Sequence, residues 1–284
     1  MSKLVQLVSL LFALMFAASA THAQELAPDG SRAHEQLDAS LWVQSSAEFH
    51  ACAKQAFSIA TEKLPMALRD RMWTASPEQF ETGDYAELPP AVIVNLDETV
   101  WNNGGYQARL ILQYGQHSGQ RFVEWCNEAK CELNPGAKGF LRTAAKHGVS
   151  IIYITPRPEI TRDGTVQNLK KLELPYDVEN DKLIMGGGWP DHDKREEVGQ
   201  THRILLIVSD HIGDFLHGTG AGEAADRRKM AADKDSYWGL KWFVVPNPMY
   251  GHWEYSIQNY DYSLDRPKRI QNKLDALKTA AGHR

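Results

Sequence analysis

Ala91-Val92-Ile93-Val94-Asn95-Leu96-Asp97-Glu98-Thr99 joins an apolar run to a polar end that carries carboxylates. Four apolar residues followed by a polar break read as a strand of a parallel sheet, buried on both faces. In open α/β sheets ligands sit just beyond the carboxyl ends of such strands, which sets Asp97 at the floor of a site.

Outward from this stretch the pattern alternates. Further strands are expected at 149–154, 182–185, 204–209 and 242–246. Helices are expected at 122–126, at 139–147 with Gly148 as a left-handed C-cap, around Leu169 and Leu172, and at 194–201. Strand and helix in alternation predict an α/β fold with a parallel sheet flanked by helices. Before the first strand, residues 31–68 look helical, with a break at Pro65. Ile270, Leu274 and Leu277 mark a last helix. The expected division is a helical segment of a small α domain (24–86), an α/β core with a short inserted cap (87–262) and a C-terminal helix (263–284).

A chain of 284 residues, 43% hydrophobic and 24% charged, can bury a sizeable core. A net charge of −5 supplies no cationic face for a nucleic acid. Residues 1–23 carry Lys3, an apolar run over 4–17 and then small residues, the pattern of a secretory signal with cleavage after Ala20 or Ala23. That apolar run is too short to span a bilayer, and no cysteine adjoins either cleavage site to carry a lipid. A soluble exported protein, most simply periplasmic and without a membrane partner, is expected. In an oxidising compartment, Cys126 and Cys131 bridge if the helix holding Cys126 ends near Asn127. Cys52 reads as a small buried hydrophobe on an amphipathic face.

Three strand ends collect the chemistry: Asn95, Asp97, Glu98 and Thr99; then Thr155 and Arg157; then Ser209, Asp210, His211 and Asp214. Carboxylates at the ends of buried strands are costly unless they meet a cation or hydrogen-bond donors. Oxygen-only ligation suits Mg²⁺. The Thr155 hydroxyl is placed to hold a phosphate oxygen, with Arg157 or Lys194 balancing charge.

Four segments, 95–99, 152–158, 208–215 and 246–251, together resemble the motifs of the haloacid dehalogenase (HAD) superfamily, and more narrowly its secreted class C acid phosphatases, subfamily IIIB. Residues 42–48 and Pro135-Gly136-Ala137 extend the likeness over nearly the whole mature chain. The resemblance implies a Rossmann-like core and Mg²⁺-dependent hydrolysis of phosphomonoesters, nucleotides or small aryl and sugar phosphates, through a covalent aspartyl-phosphate. It assigns the nucleophile position to Asn95 and general acid/base work to Asp97. Thr155 becomes the phosphate-binding hydroxyl, and Asn95, Asp97, Asp210 and Asp214 become the metal ligands. Tyr106, with Tyr250 or Trp253, lines the substrate pocket in that scheme, and relatives often pair as dimers.

The departures are equally specific. An amide at 95 is a poor nucleophile and offers a metal one neutral oxygen where the family offers a carboxylate. Ser209 and His211 stand where Gly and Asn are usual, Pro156 stands for Asn, and Asp191 aligns with the family's phosphate-binding lysine. Two readings follow. One is a phosphatase impaired at its nucleophile and working by an altered route, for instance attack by a metal-bound water. The other is a catalytically silent relative that binds a phosphate ester or metal, or serves as an interaction protein. Gly186-Gly187-Gly188 lacks the Gly-Lys-Ser/Thr of a P-loop and reads as a flexible connection.

Overall fold

The computed structural model describes residues 34–177, 179–180, 182–186, 192–219 and 222–278. The proposed signal segment, Asp191 and Gly187-Gly188 lie outside the described residues. Among the described residues seven strands form: β1 Pro90–Asn95, β2 Trp101–Asn102, β3 Glu132–Leu133, β4 Ser150–Thr155, β5 Leu183–Met185, β6 Arg203–Ser209 and β7 Trp242–Val244. The helices are α1 Leu37–Ser45, α2 Ala47–Arg69, α3 Pro77–Thr82, α4 Gly104–Leu112, α5 Gly119–Glu128, α6 Ala137–Lys146, α7 Arg162–Lys171, α8 His192–Thr201, α9 Ala224–Ala232, α10 His252–Tyr255 and α11 Arg266–Asp275.

Five strands make one sheet in the order β5-β4-β1-β6-β7, each neighbouring pair parallel. The chain runs outward from β1 to β4 and β5 on one side, then returns to β6 and β7 on the other. The strand order therefore reverses at β1, the place where open α/β sheets leave a crevice for ligand. Asn95 pairs with Ile154, and Val94 with Val208, so the polar ends of β1, β4 and β6 come level at one rim.

Alternation along β1 feeds two cores. Val92 and Val94 pack with Phe57, Leu64, Phe140 and Leu205, whereas Ala91 and Ile93 pack with Ile152, Ile207, Phe215 and Trp242. Each fully buried side chain of this kind contributes about 1.5–3 kcal/mol. Helix α2 belongs to the first of these cores through Phe49, Ala53, Phe57, Ala60 and Leu64. Its C-terminal carbonyls are gathered by one guanidinium from β6: Arg203 Nη1 donates to the oxygens of Ala67 (3.2 Å) and Asp70 (2.6 Å). The segment expected to belong to a helical side domain thus lies against the sheet.

Three local expectations are corrected. Pro65 sits inside α2 and does not break it. Proline withdraws a single backbone donor, while the buried face continues on both sides of it through Ala60, Leu64 and Ala67. Cys126 and Cys131 are free. Helix α5 runs on to Glu128, and Cys131 Sγ is turned to Asn103 Oδ1 at 3.2 Å. Cys52 is exposed, because the buried stripe of α2 passes through Phe49, Ala53 and Ala56's neighbour Phe57 instead. Gly148 does take the left-handed conformation, with φ 72°.

Helix α7 crosses α5 at Gly164, where an added Cβ would fall 2.5 Å from Cys126 O and 2.6 Å from Asn127 Cα. Backbone cannot yield as a side chain does, so Gly164→Ala is expected to destabilise the fold by about 1–3 kcal/mol, read by thermal or urea unfolding.

A candidate active site at the rim of strands β1, β4 and β6

Past the end of β1 the chain makes a tight turn in which Glu98 adopts φ 56°. A left-handed glutamate is unfavourable in isolation and persists where its surroundings fix it. Here Asn134 Nδ2 donates to the Glu98 and Thr99 carbonyls at 2.8 and 3.0 Å, and Tyr250 Oη donates to Glu98 Oε1 at 2.7 Å.

The centre of the rim is a buried ion pair. Arg157, fully buried beyond β4, donates Nη2 to Asp97 Oδ1 at 2.6 Å and Nε to Asp97 Oδ2 at 2.9 Å. Thr155 Oγ1 donates to Oδ2 at 3.1 Å, and Asn103 Nδ2 and Trp101 Nε1 donate to Oδ1 at 2.9 and 3.2 Å. The guanidinium also lies 4.9 Å from the Trp101 ring centroid. Burial pushes the Asp97 carboxyl up, but the adjoining Arg157 outweighs it and holds the group below the usual carboxylate range. Asp97 is therefore an anion whose two oxygens are both engaged.

Asn103, buried in the loop after β2, joins this pair to its surroundings. Its Nδ2 also donates to Glu98 Oε1 at 2.8 Å, and its Oδ1 accepts from Trp125 Nε1 at 2.8 Å. No motif reading marks it, because its importance lies in bonds to residues scattered along the chain.

A second group forms around Asp210, whose Oδ1 accepts from Thr99 Oγ1 and whose Oδ2 accepts from Asn247 Nδ2, both at 2.9 Å. Burial pushes both Glu98 and Asp210 up to about 7, and the negative charge of Glu98 adds to the rise at Asp210.

The third group lies beneath the rim. Asn95 Nδ2 donates to Asp214 Oδ2 at 3.0 Å, and Ser209 Oγ donates to the same oxygen. The orientation of the amide is forced, because a carboxylate can only accept. Arg195 closes this region, donating Nη1 to the backbone oxygens of Asp214 and Phe215 at 3.1 and 2.6 Å. His211 packs edge-on against His252 with ring centroids 4.4 Å apart, and its Nδ1 accepts from Gly213 N at 3.1 Å.

The structure thus brings all the expected ligands, Asn95, Asp97, Asp210 and Asp214, to one end of the sheet, but divides them among three hydrogen-bonded groups. Among the described residues, no three His, Cys, Asp or Glu side chains gather as a metal-holding set. A small cavity beneath the rim, lined by Asn95, Ser209, Asp214 and Arg195 with Ile93, Ile154, Ile207 and Val208 and bordered by neither Asp97 nor Asp210, amounts to about 10 Å³. That is room for about one water, whereas Mg²⁺ commonly keeps several. With Asp97 committed to Arg157, the four side chains as arranged do not fit a shared divalent ion. Lys194 Nζ is bonded to the Gly186 carbonyl. Tyr106 is buried among Phe122, His117 and Trp125, its hydroxyl 2.9 Å from His117 Nδ1. Trp253 is exposed.

A family model described as HAD superfamily, subfamily IIIB (acid phosphatase) matches residues 13–253. The chain is similar to the class C acid phosphatase structure from Bacillus anthracis, with 30% identity and a TM-score of 0.75 over 86% of this chain and 97% of that one. It matches the same Bacillus anthracis enzyme with tungstate bound equally well, at 30% identity and a TM-score of 0.75.

A group held protonated in the fold to about pH 7, but ionising near 4.5 when unfolded, favours the folded state at low pH and loses that contribution as pH rises between those values. Buried histidines with lowered pKa, among them His252 near 4, act in the opposite sense over part of this range. Glu98→Gln isolates the carboxyl: its Tm relative to the unaltered protein is expected to rise steadily from pH 4.5 to 7, followed by thermal unfolding at matched ionic strength.

Proposed function

We propose, from the premise that this chain belongs to the HAD superfamily, subfamily IIIB (acid phosphatase), that it keeps the phosphatase scaffold but has lost the covalent phosphoryl-transfer step. On this reading it is an exported phosphomonoester-binding relative whose hydrolysis is strongly impaired. Phosphatases of this family generally use Mg²⁺. The observation that carries the reading is the amide at 95. Aspartyl-phosphate chemistry needs a carboxylate oxygen with a free electron pair to attack phosphorus, and a carboxamide whose nitrogen is bonded to Asp214 supplies none.

A second observation points the same way. A general acid must hold a proton near working pH to give it to the leaving oxygen. Asp97 is kept ionised by Arg157, and each of its oxygens already accepts from several donors. Removing Arg157 does not simply free Asp97. Breaking a buried pair by deleting one partner costs about 3–5 kcal/mol and leaves the other charge stranded.

Recognition of an ester rests on the family resemblance, which gives the phosphate-binding hydroxyl to Thr155. Thr155 and Arg157 are turned to Asp97 and Lys194 to the Gly186 carbonyl, so a bound phosphate would have to draw these groups from their present partners. Tungstate, a tetrahedral oxyanion, is bound by the similar Bacillus anthracis enzyme, and a phosphate group of a nucleotide or a small aryl or sugar phosphate has the same form. Export rests on the signal-like segment over residues 1–23. No helix among the described residues is long and apolar enough to cross a membrane.

Phosphate release from an aryl phosphate at acidic pH with Mg²⁺, compared among the unaltered protein, Asn95→Asp and Asp97→Ala, tests the reading. General acid–base catalysis alone contributes about 10²–10⁴-fold. The unaltered protein is expected to fall at least that far below the rates of an intact aspartyl site, and Asp97→Ala is expected to lower it no further. Ready turnover that vanishes in Asp97→Ala would overturn the proposal.

A further inference from the structure

Two positions where this chain departs from the family pattern, Asn95 and Ser209, spend their polar groups on one atom. Asn95 Nδ2 donates to Asp214 Oδ2 at 3.0 Å, and Ser209 Oγ donates to that oxygen as well. Both residues are buried, at 3% and 1% exposure. With an aspartate at 95 the same geometry would set two carboxylates about 3 Å apart, an arrangement tolerable only with a cation or a shared proton between them. With an amide there, the two side chains attract directly.

We propose that in this chain the Asn95 carboxamide takes the place of a divalent cation: its Nδ2, with the Ser209 hydroxyl, hydrogen-bonds Asp214, whose charge the nearby Arg195 guanidinium offsets, and the β1–β6 rim is complete without metal. The remaining atoms of the site agree with this. Asn95 Oδ1 and Arg195 Nε are buried without a hydrogen-bonding partner among the described residues, and their residues line the same small cavity. Its volume of about 10 Å³ takes one water, which can donate to Oδ1 and accept from Nε. It does not take a cation with its hydration waters. The coupling is between residues 95, 209 and 214 and does not involve Asp97. It goes beyond the reading of impaired turnover, and hydrolysis by the unaltered protein that does not need Mg²⁺ would leave it standing.

The experiment uses Mg²⁺ alone as probe, with thermal unfolding in EDTA and in millimolar Mg²⁺ and with titration calorimetry. The unaltered protein is expected to keep the same Tm in both conditions and to give no binding heat. N95D is expected to lose at least about 4 °C in EDTA, to recover it in Mg²⁺, and to bind Mg²⁺ at least about tenfold more tightly than the unaltered protein. A Tm of the unaltered protein that rises by that amount with Mg²⁺, or an N95D as stable as the unaltered protein in EDTA, overturns the proposal. If N95D does not fold without metal, the double variant N95D/D214N decides, because it restores one donor and one acceptor in the opposite order. Folding with indifference to Mg²⁺ supports the proposal. Failure to fold, or dependence on Mg²⁺, overturns it.

Discussion

Asp97 and Arg157 meet in a setting that offers neither of them water. Both are buried, and the pair is bonded at 2.6 and 2.9 Å. Such a pair is held by its neighbours more than by its own attraction, because desolvation offsets most of the Coulomb gain. Thr155, Asn103 and Trp101 supply the remaining donors to Asp97, and the Trp101 ring covers the guanidinium. The turn after β1, the two-stranded β2–β3 ribbon and the loop after β4 are thereby fixed relative to one another. The left-handed Glu98 is tolerated inside that frame.

The period of a strand explains why the rim splits. Asn95 shares a face of β1 with Ile93, above the core that contains Ile207 and Phe215, and finds Asp214 and Ser209 there. Asp97 lies past the strand end, where the turn carries it toward Trp101 and β4. Two side chains two positions apart in sequence thus serve separate networks. Burial also leaves Glu98 and Asp210 with carboxyls that ionise only near 7, so the rim carries less negative charge below that pH than its composition suggests.

Much of this was legible in the chain itself. Apolar runs ending in polar residues marked all five strands of the main sheet to within two residues, since burial on both faces leaves little choice of residue type. The level rim at residues 95, 155 and 209 followed from the same reading. Less legible were features decided by side-chain direction. Pro65 does not interrupt α2 because tertiary burial outweighs one missing bond. Helix α5 ends only one residue past the expected Asn127, and the free thiols of Cys126 and Cys131 depend on the direction of Cys131, whose Sγ turns to Asn103. Asn103 is a hub only because residues 98, 125, 131 and 157 arrive around it, and composition carries no trace of that.

The hold of Arg203 on the end of α2 bears on how the molecule assembles. Those bonds join residues 136 and 133 positions apart, and the apolar stripe of α2 has its partners on strands that follow it by a long stretch of chain. During synthesis the early helix emerges well before β6 and cannot cover Phe57 or Leu64 alone. Contacts of such sequence separation slow folding and leave apolar surface uncovered for that interval. Until its second half arrives, the nascent chain has no partner for the apolar stripe of α2.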